Sequence, residues 1–346
     1  MEDFVLSPEL QAVQKIKEVA WGMVSTSVVM AAIRLGLPEA LGDEPATAES
    51  LAADLGTNPG TLGRLLDALE SRGVFARTED GRHRHNELSR LLRDDDPNSV
   101  TALVQWIGAT CLWPLWPHLD EAIRTGEAVF PRLYGKTVFE YIHQDEPEAG
   151  RILNRGMSQA SAHTSAAIAQ NLDLSDAKVV ADIGGGQGYL LKTILEHHPH
   201  VRGVLFDLPP VVAAAHPDLR TGDLVSRVEI IGGDCRAEVP VAADVYLLKN
   251  VLEWDDDSTI ATLRNVVARA QPGARVEIIQ SLADHNPEPE VTTALDLLLL
   301  LNGGGHKHSL PQVAALLERS GLRFVGVRPT GTFLSFVEAV VPEPGQ

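Results

Sequence analysis

The stretch "VVADIGGGQGYLL", residues 179–191, constrains the fold more than any other. An apolar, β-branched run ends in Asp182, then Gly184, Gly185, Gly186 and Gly188 precede a second apolar run. A tight turn alone accounts for some of these glycines; close approach of backbone to a ligand accounts for the whole set. From residue 178 onward the texture is consistent with that site. "KVVADIG", "GVLFDLP", "VEIIGGD", "DVYLLKNVL", "RVEIIQSL", "FVGVRP" and "FLSFVEAVV" are short apolar strands separated by helical segments. Continuous apolar strands alternating with helices predict a parallel sheet covered on both faces, with a closing antiparallel hairpin turning at Thr330-Gly331. The fold class is α/β: a seven-stranded, doubly wound, Rossmann-like sheet.

Such a sheet binds ligands at the carboxyl ends of its strands, near the point where strand order reverses. The loop departs from the dinucleotide pattern, because Tyr189 follows the Gly184-Gly186-Gly188 spacing and Asp182 stands just before it. That carboxylate repels a pyrophosphate and suits an ammonium group. The second strand ends in Asp207, placed to accept from both hydroxyls of a ribose; the third ends in Asp234, and the fourth carries Lys249. Helix capping explains each acid singly. One acid per strand end describes a pocket for an adenosine with a zwitterionic tail.

Residues 9–42 are helical in pattern, with Val24, Val28, Ala31, Ile33 and Leu37 at helix spacings and few charges between them. A helix apolar on more than one face is either a core helix or one that meets a second copy of the chain. Thr47 and Gly56 bound a short helix, Pro59 and Gly73 a second, and "VFARTEDGRHRHN" reads as a hairpin turning at Asp80-Gly81. This is a winged-helix outline, but Arg64 and Arg72 are balanced by Asp67 and Glu70 on the second helix, which leaves no excess charge for phosphates. The net charge of −18, from 47 acidic against 29 basic residues, argues equally against nucleic acid and against an anionic membrane. Two well-separated cysteines, Cys111 and Cys235, and an acidic N-terminus without signal-peptide layout predict a cytoplasmic protein. The run "LLLLL" at 297–301 is too short to span a bilayer. Aromatics between Trp106 and Tyr141 form core or wall an apolar pocket.

Taken together with "NRGMSQAS", "LLKNVLEWDDD" and "GGGHKHSLPQVAALLERSGL", these motifs resemble the class I S-adenosylmethionine-dependent methyltransferases, specifically the dimeric small-molecule O-methyltransferases of caffeic acid and polyketide-tailoring type. The resemblance covers nearly the whole chain. It implies a front part at about 1–100 that dimerises, a helical connector to about 170, and a cofactor-binding domain over 171–346. It implies that Gly184 and Gly186 line the methionine part of S-adenosylmethionine, that Asp207 and its neighbour Leu208 hold the ribose end, and that Asp234 and Cys235 border the adenine. Lys249 would lie on the cofactor's far side and Met157 would face the acceptor; Trp106 and Arg132 are further candidates for the acceptor site.

Two habitual base positions of the family differ. The usual "L-H-D-W" reads Leu252-Glu253-Trp254-Asp255 here, one residue shorter, and the usual later glutamate is Lys307, flanked by His306 and His308. Three chemistries stay open. Glu253 or a new histidine such as His306 is the base for O-methylation. Alternatively, Glu253, His306 and His308, or an Asp of the 255–257 run, bind zinc or iron and enolise a 2-oxo acid for C-methylation at its β-carbon. Thirdly, methyl transfer has given way to other chemistry on the same fold. Arg132 and Arg155 either bind an acceptor carboxylate or pair with neighbouring acids on the surface.

Overall fold

The computed structural model describes residues 7–285 and 289–343. The chain divides into two compact units, Met1–Thr110 and Cys111–Gln346.

The first unit is helical. Pro8–Ala20, Gly22–Leu35 and Leu37–Leu41 lead to a helix Ala48–Leu55, capped by Thr47 and stopped by left-handed Gly56 as expected. Asn58 caps the next helix, Pro59–Glu70, and Gly73 follows with φ +74°. Strands β1 (Ala76–Arg77) and β2 (His83–Arg84) form the wing, only two residues each, around Gly81. Leu37, Leu51, Leu62, Leu66, Leu69 and Phe75 make its core. The acids of Pro59–Glu70 are spent on the wing: Arg77 reaches both Asp67 and Glu70, and Glu70 meets His83 Nδ1 at 2.6 Å. The helix Pro8–Ala20 buries no residue, while Leu10, Val13, Ile16 and Val19 are exposed along it.

The second unit opens with helices and a 3₁₀ turn between Trp113 and Gln144, then the long helix Pro147–Asn171. Its sheet contains β3 (Val179–Ile183), β4 (Arg202–Asp207), β5 (Val228–Gly232), β6 (Val245–Lys249), β7 (Arg275–Gln280), β8 (Arg323–Pro329) and β9 (Ser335–Val340). The order is β5-β4-β3-β6-β7-β9-β8. All pairings are parallel except those of β9, which inserts antiparallel between β7 and β8. The order reverses between β3 and β6, so the crevice of a doubly wound sheet opens at their carboxyl ends.

Alternation along the strands builds two cores. Ala181, Ile183, Phe206, Tyr246 and Leu248 pack on one face, while Val180, Leu205, Val245 and Leu247 pack on the other. Asp182 shares the face of Val180, and Lys249 that of Leu247, with Asp182 and Leu247 paired in register. Strand periodicity alone therefore turns an acid and a base toward one side of the crevice.

Candidate functional site

Asp182 is 1% exposed, and its Oδ2 has no hydrogen-bond partner among the described residues. Burial pushes its carboxyl up to about 7, against the pull of the Lys249 ammonium. Lys249 is pushed down to about 8 by its own burial, opposed by Asp182 and Glu253. Its Nζ donates to Ser161 Oγ at 2.9 Å, a bond from the sheet to the helix Pro147–Asn171. That helix also reaches the glycine loop, where Ser158 Oγ donates to Gln187 Oε1 at 2.9 Å.

The loop turns through three left-handed glycines, Gly184, Gly186 and Gly188. At Gly184 a Cβ would lie 2.6 Å from Val251 Cγ2, so the glycine is dictated by packing. At Gly186 a Cβ would meet nothing within 4 Å, so its open side faces free space. The Gly186 N–H donates to Asp207 Oδ2 at 2.7 Å, and the Leu208 N–H to Asp207 Oδ1 at 2.6 Å. Burial raises the Asp207 carboxyl, and those two backbone donors pull it back. Asp207 thus shapes the loop and keeps lone pairs for further donors.

Asp234 forms a fork with Arg236, Nη2 to Oδ2 at 2.8 Å, which lowers its carboxyl. The guanidinium in turn lies 5.5 Å from the Trp254 ring centroid. Cys235 beside it is buried, its thiol pushed up to about 11, a packing residue rather than a nucleophile. An orphaned buried carboxylate oxygen, a cationic amine and an open glycine ledge fit a nucleoside with a zwitterionic tail.

Glu253 does not stand free. It pairs with the Lys307 ammonium, both side chains largely buried. Gly305 makes this pairing feasible, because a Cβ there would fall 2.1 Å from the Glu253 carbonyl oxygen. The Lys307 N–H is held by Asp296 Oδ1 at 2.6 Å. His306 and His308 turn away from Lys307 and meet Asp256 instead. The expected set of Glu253, His306 and His308 is therefore not assembled. Neighbouring side chains along the loop diverge, so the intervening lysine takes Glu253 while the histidines reach the aspartate run.

Met157 is 43% exposed on the helix that carries Ser158 and Ser161. Arg132 is paired with Glu121 at 2.9 Å on the surface, the plainer of its two expected fates. Trp106 is buried in the helix Thr101–Ile107 of the first unit. Phe130, Tyr134 and Tyr141 pack on one another, with ring centroids 4.5–5.5 Å apart. Sequence reading missed Ser158, Ser161 and Gln187. The signal for the two serines was a run of short polar residues in the helix Pro147–Asn171; Gln187 stood within the glycine loop itself.

Fold and site define a methyltransferase of the doubly wound class. Residues 116–323 match the O-methyltransferase domain family, and residues 18–95 the O-methyltransferase dimerisation domain. The mitomycin biosynthesis 6-O-methyltransferase of Streptomyces lavendulae is 36% identical over 322 residues, covering 92% of each chain. The solved mitomycin 7-O-methyltransferase MmcR superposes with a TM-score of 0.88 at 36% identity, covering 96% of this chain and 98% of that one. The O-methyltransferase NcsB1 of neocarzinostatin biosynthesis, solved with S-adenosylmethionine and 2-hydroxy-5-methyl naphthoic acid, gives 0.79 at 28% identity over 92% and 96%. The chain belongs to this O-methyltransferase family, and its activity is S-adenosylmethionine-dependent methyl transfer.

Proposed function

We propose that the protein O-methylates a phenolic hydroxyl on a planar specialised metabolite, using Glu253 as the proton acceptor. The observation that carries this reading is the Glu253–Lys307 pair, at the two positions where the family resemblance implies a histidine and a glutamate. A base held by a second group is the usual arrangement for activating a hydroxyl. Here the charges are reversed: Lys307 orients Glu253, and the carboxylate leaves that pair to take the proton.

When bound, the cofactor supplies an electrophilic methyl group on a sulfonium. The chain's residues then bind and align. Asp182 takes the ammonium of the tail, Asp207 the ribose hydroxyls with Leu208 beside it, Asp234 and Cys235 border the base, and Gly184 and Gly186 give the tail room. Lys249, tied to Ser161, balances the Asp182 charge and fixes the crevice wall. Met157 faces the acceptor from the same helix.

Metal-assisted C-methylation by Glu253 with His306 and His308 is less well supported, because both histidines lie against Asp256 while Glu253 pairs with Lys307. The matched dimerisation region, residues 18–95, supports a homodimer, as do the exposed apolar residues Leu10, Val13 and Ile16 just before it and Val19 within it. Two free, buried cysteines and the acidic charge support the cytoplasm and a small-molecule substrate, not nucleic acid or membrane.

The test is Glu253→Gln, assayed by release of S-adenosylhomocysteine with a panel of hydroxynaphthoates. We expect turnover to fall by about 10²–10⁴ with the affinity for S-adenosylhomocysteine unchanged. Because breaking a buried pair destabilises by about 3–5 kcal/mol, Glu253→Gln with Lys307→Met serves as the control that restores melting without restoring turnover. Turnover within twofold of the parent in Glu253→Gln overturns the assignment.

A further inference from the structure

His306 and His308 lie on either side of Lys307 and turn together, their ring centroids 4.1 Å apart. One ligand atom from each of Asp256, His306 and His308 lies within 4.8 Å of the others. His308 Nε2 is 3.7 Å and His306 Nε2 3.9 Å from Asp256 Oδ1. Both separations are long for hydrogen bonds. They exceed by about half an ångström the roughly 3.3 Å that a tetrahedral ion with bonds of about 2.0–2.1 Å imposes. A small inward movement of an exposed carboxylate closes that gap.

His308 supplies the independent observation. It is 1% exposed, and neither ring nitrogen has a hydrogen-bond partner among the described residues. Leaving such a group buried and unpaired is costly, so the arrangement needs an explanation.

We infer that Asp256, His306 and His308 form a divalent-cation site of zinc type, which pins the loop at 304–309 to the start of the helix Asp256–Arg269. Two imidazoles and one carboxylate are ordinary zinc donors, and a water completes four ligands. A cavity of about 340 Å³, lined among others by Asp255, Asp256, His306, Gln312 and Arg319, gives that water and the ion a way in. The charges around it are mixed. Asp255 and Asp257 add negative charge, as does Asp296 on His308, whereas Arg319 Nη1 holds Asp256 Oδ2 at 3.2 Å. Arg319 is half exposed and bonds the oxygen that the histidines do not face, so it is an alternative partner for Asp256 that the ion displaces. The cavity lining contains none of the crevice residues, and the role is structural: the ion would hold the loop that carries Lys307.

The experiment is a Co²⁺ titration of the purified, chelator-stripped full chain, reading the visible d–d bands of a four-coordinate ion and their loss on adding Zn²⁺. The expected result is one equivalent per chain. Affinity should fall at least about tenfold in Asp256→Asn and in His308→Ala, and rise about threefold or more in Arg319→Met, while Glu253→Gln binds as the parent does. His306→Gln is the milder variant should His308→Ala fail to fold, which circular dichroism reports. No saturable uptake by the parent, or equal uptake in Asp256→Asn, overturns the site. Uptake of S-adenosylhomocysteine measured alongside reads the methyltransferase assignment separately, and stripping the metal should leave it unchanged.

Discussion

Gly186→Ala separates what the glycine loop does for the fold from what it does for a ligand. Its φ of +61° lies in the left-handed region, where an alanine costs about 1–2 kcal/mol. Among the described residues, none beyond its chain neighbours comes within 4 Å of the added methyl, so no clash adds to that cost. At about 2–4 °C per kcal/mol for a unit of this size, melting should fall by roughly 2–8 °C. The N–H bond to Asp207 Oδ2 at 2.7 Å is retained, and the carboxylate keeps its place. The proposed cofactor site is another matter, because there the methyl would project into the space assigned to the tail of the ligand. Overlap of that kind costs about 1–3 kcal/mol, which is about fivefold to a hundredfold or so in dissociation constant. Calorimetry with S-adenosylhomocysteine and melting without ligand measure the two effects. Gly184→Ala is the contrast: its Cβ meets Val251 Cγ2 at 2.6 Å, so it should destabilise the fold by clearly more than Gly186→Ala does. A Gly186→Ala protein that binds S-adenosylhomocysteine within twofold of the parent would show that the ligand does not run over this ledge, and the crevice as described would be wrong.

The pH dependence of cofactor uptake follows from Asp182. Its carboxyl, raised to about 7, is largely protonated at pH 6 and ionised at pH 8. Affinity for S-adenosylhomocysteine should therefore rise across that window by up to about tenfold, at no more than one decade per pH unit; Asp182→Asn should flatten the profile, and a flat parent profile counts against an ammonium partner. Glu277 is a second buried acid, 1% exposed in β7 and pushed up to about 7 by burial and then by Glu338. The folded chain holds its proton more tightly than the unfolded one, so its stabilising share is complete below about pH 4.5 and is lost as pH rises through about 7. Glu277→Gln should be more stable than the parent at pH 8, by at most about 3 kcal/mol, less whatever Arg275 and Arg328 contribute at 3.8 Å. The advantage should vanish near pH 5; melting curves that stay parallel across pH would refute the account.

Much was legible from local pattern. The seven strands, the capping by Thr47, the stop at Gly56 and the turn at Gly331 all depend on residues within a few positions of one another. The acids at the strand ends were legible for the same reason, because a period of two fixes which side chains share a face. The family resemblance added the identity of the cofactor and the dimerising role of the front part, whose winged outline the residues themselves suggested. The site's wiring was not legible. Glu253 and Lys307 are 54 positions apart, and Lys249 and Ser161 are 88 apart.

What the sequence determined by itself, then, was a doubly wound sheet with a glycine ledge and carboxylates aimed at a nucleoside. Only the tertiary structure decided the partners: that Lys307 takes Glu253, that the two histidines go to Asp256, and that β9 slips between β7 and β8. The reason is physical. A carboxylate pairs with whichever cation the packing of distant loops leaves nearest, and Gly305, by allowing backbone to lie against the Glu253 carbonyl, set that choice.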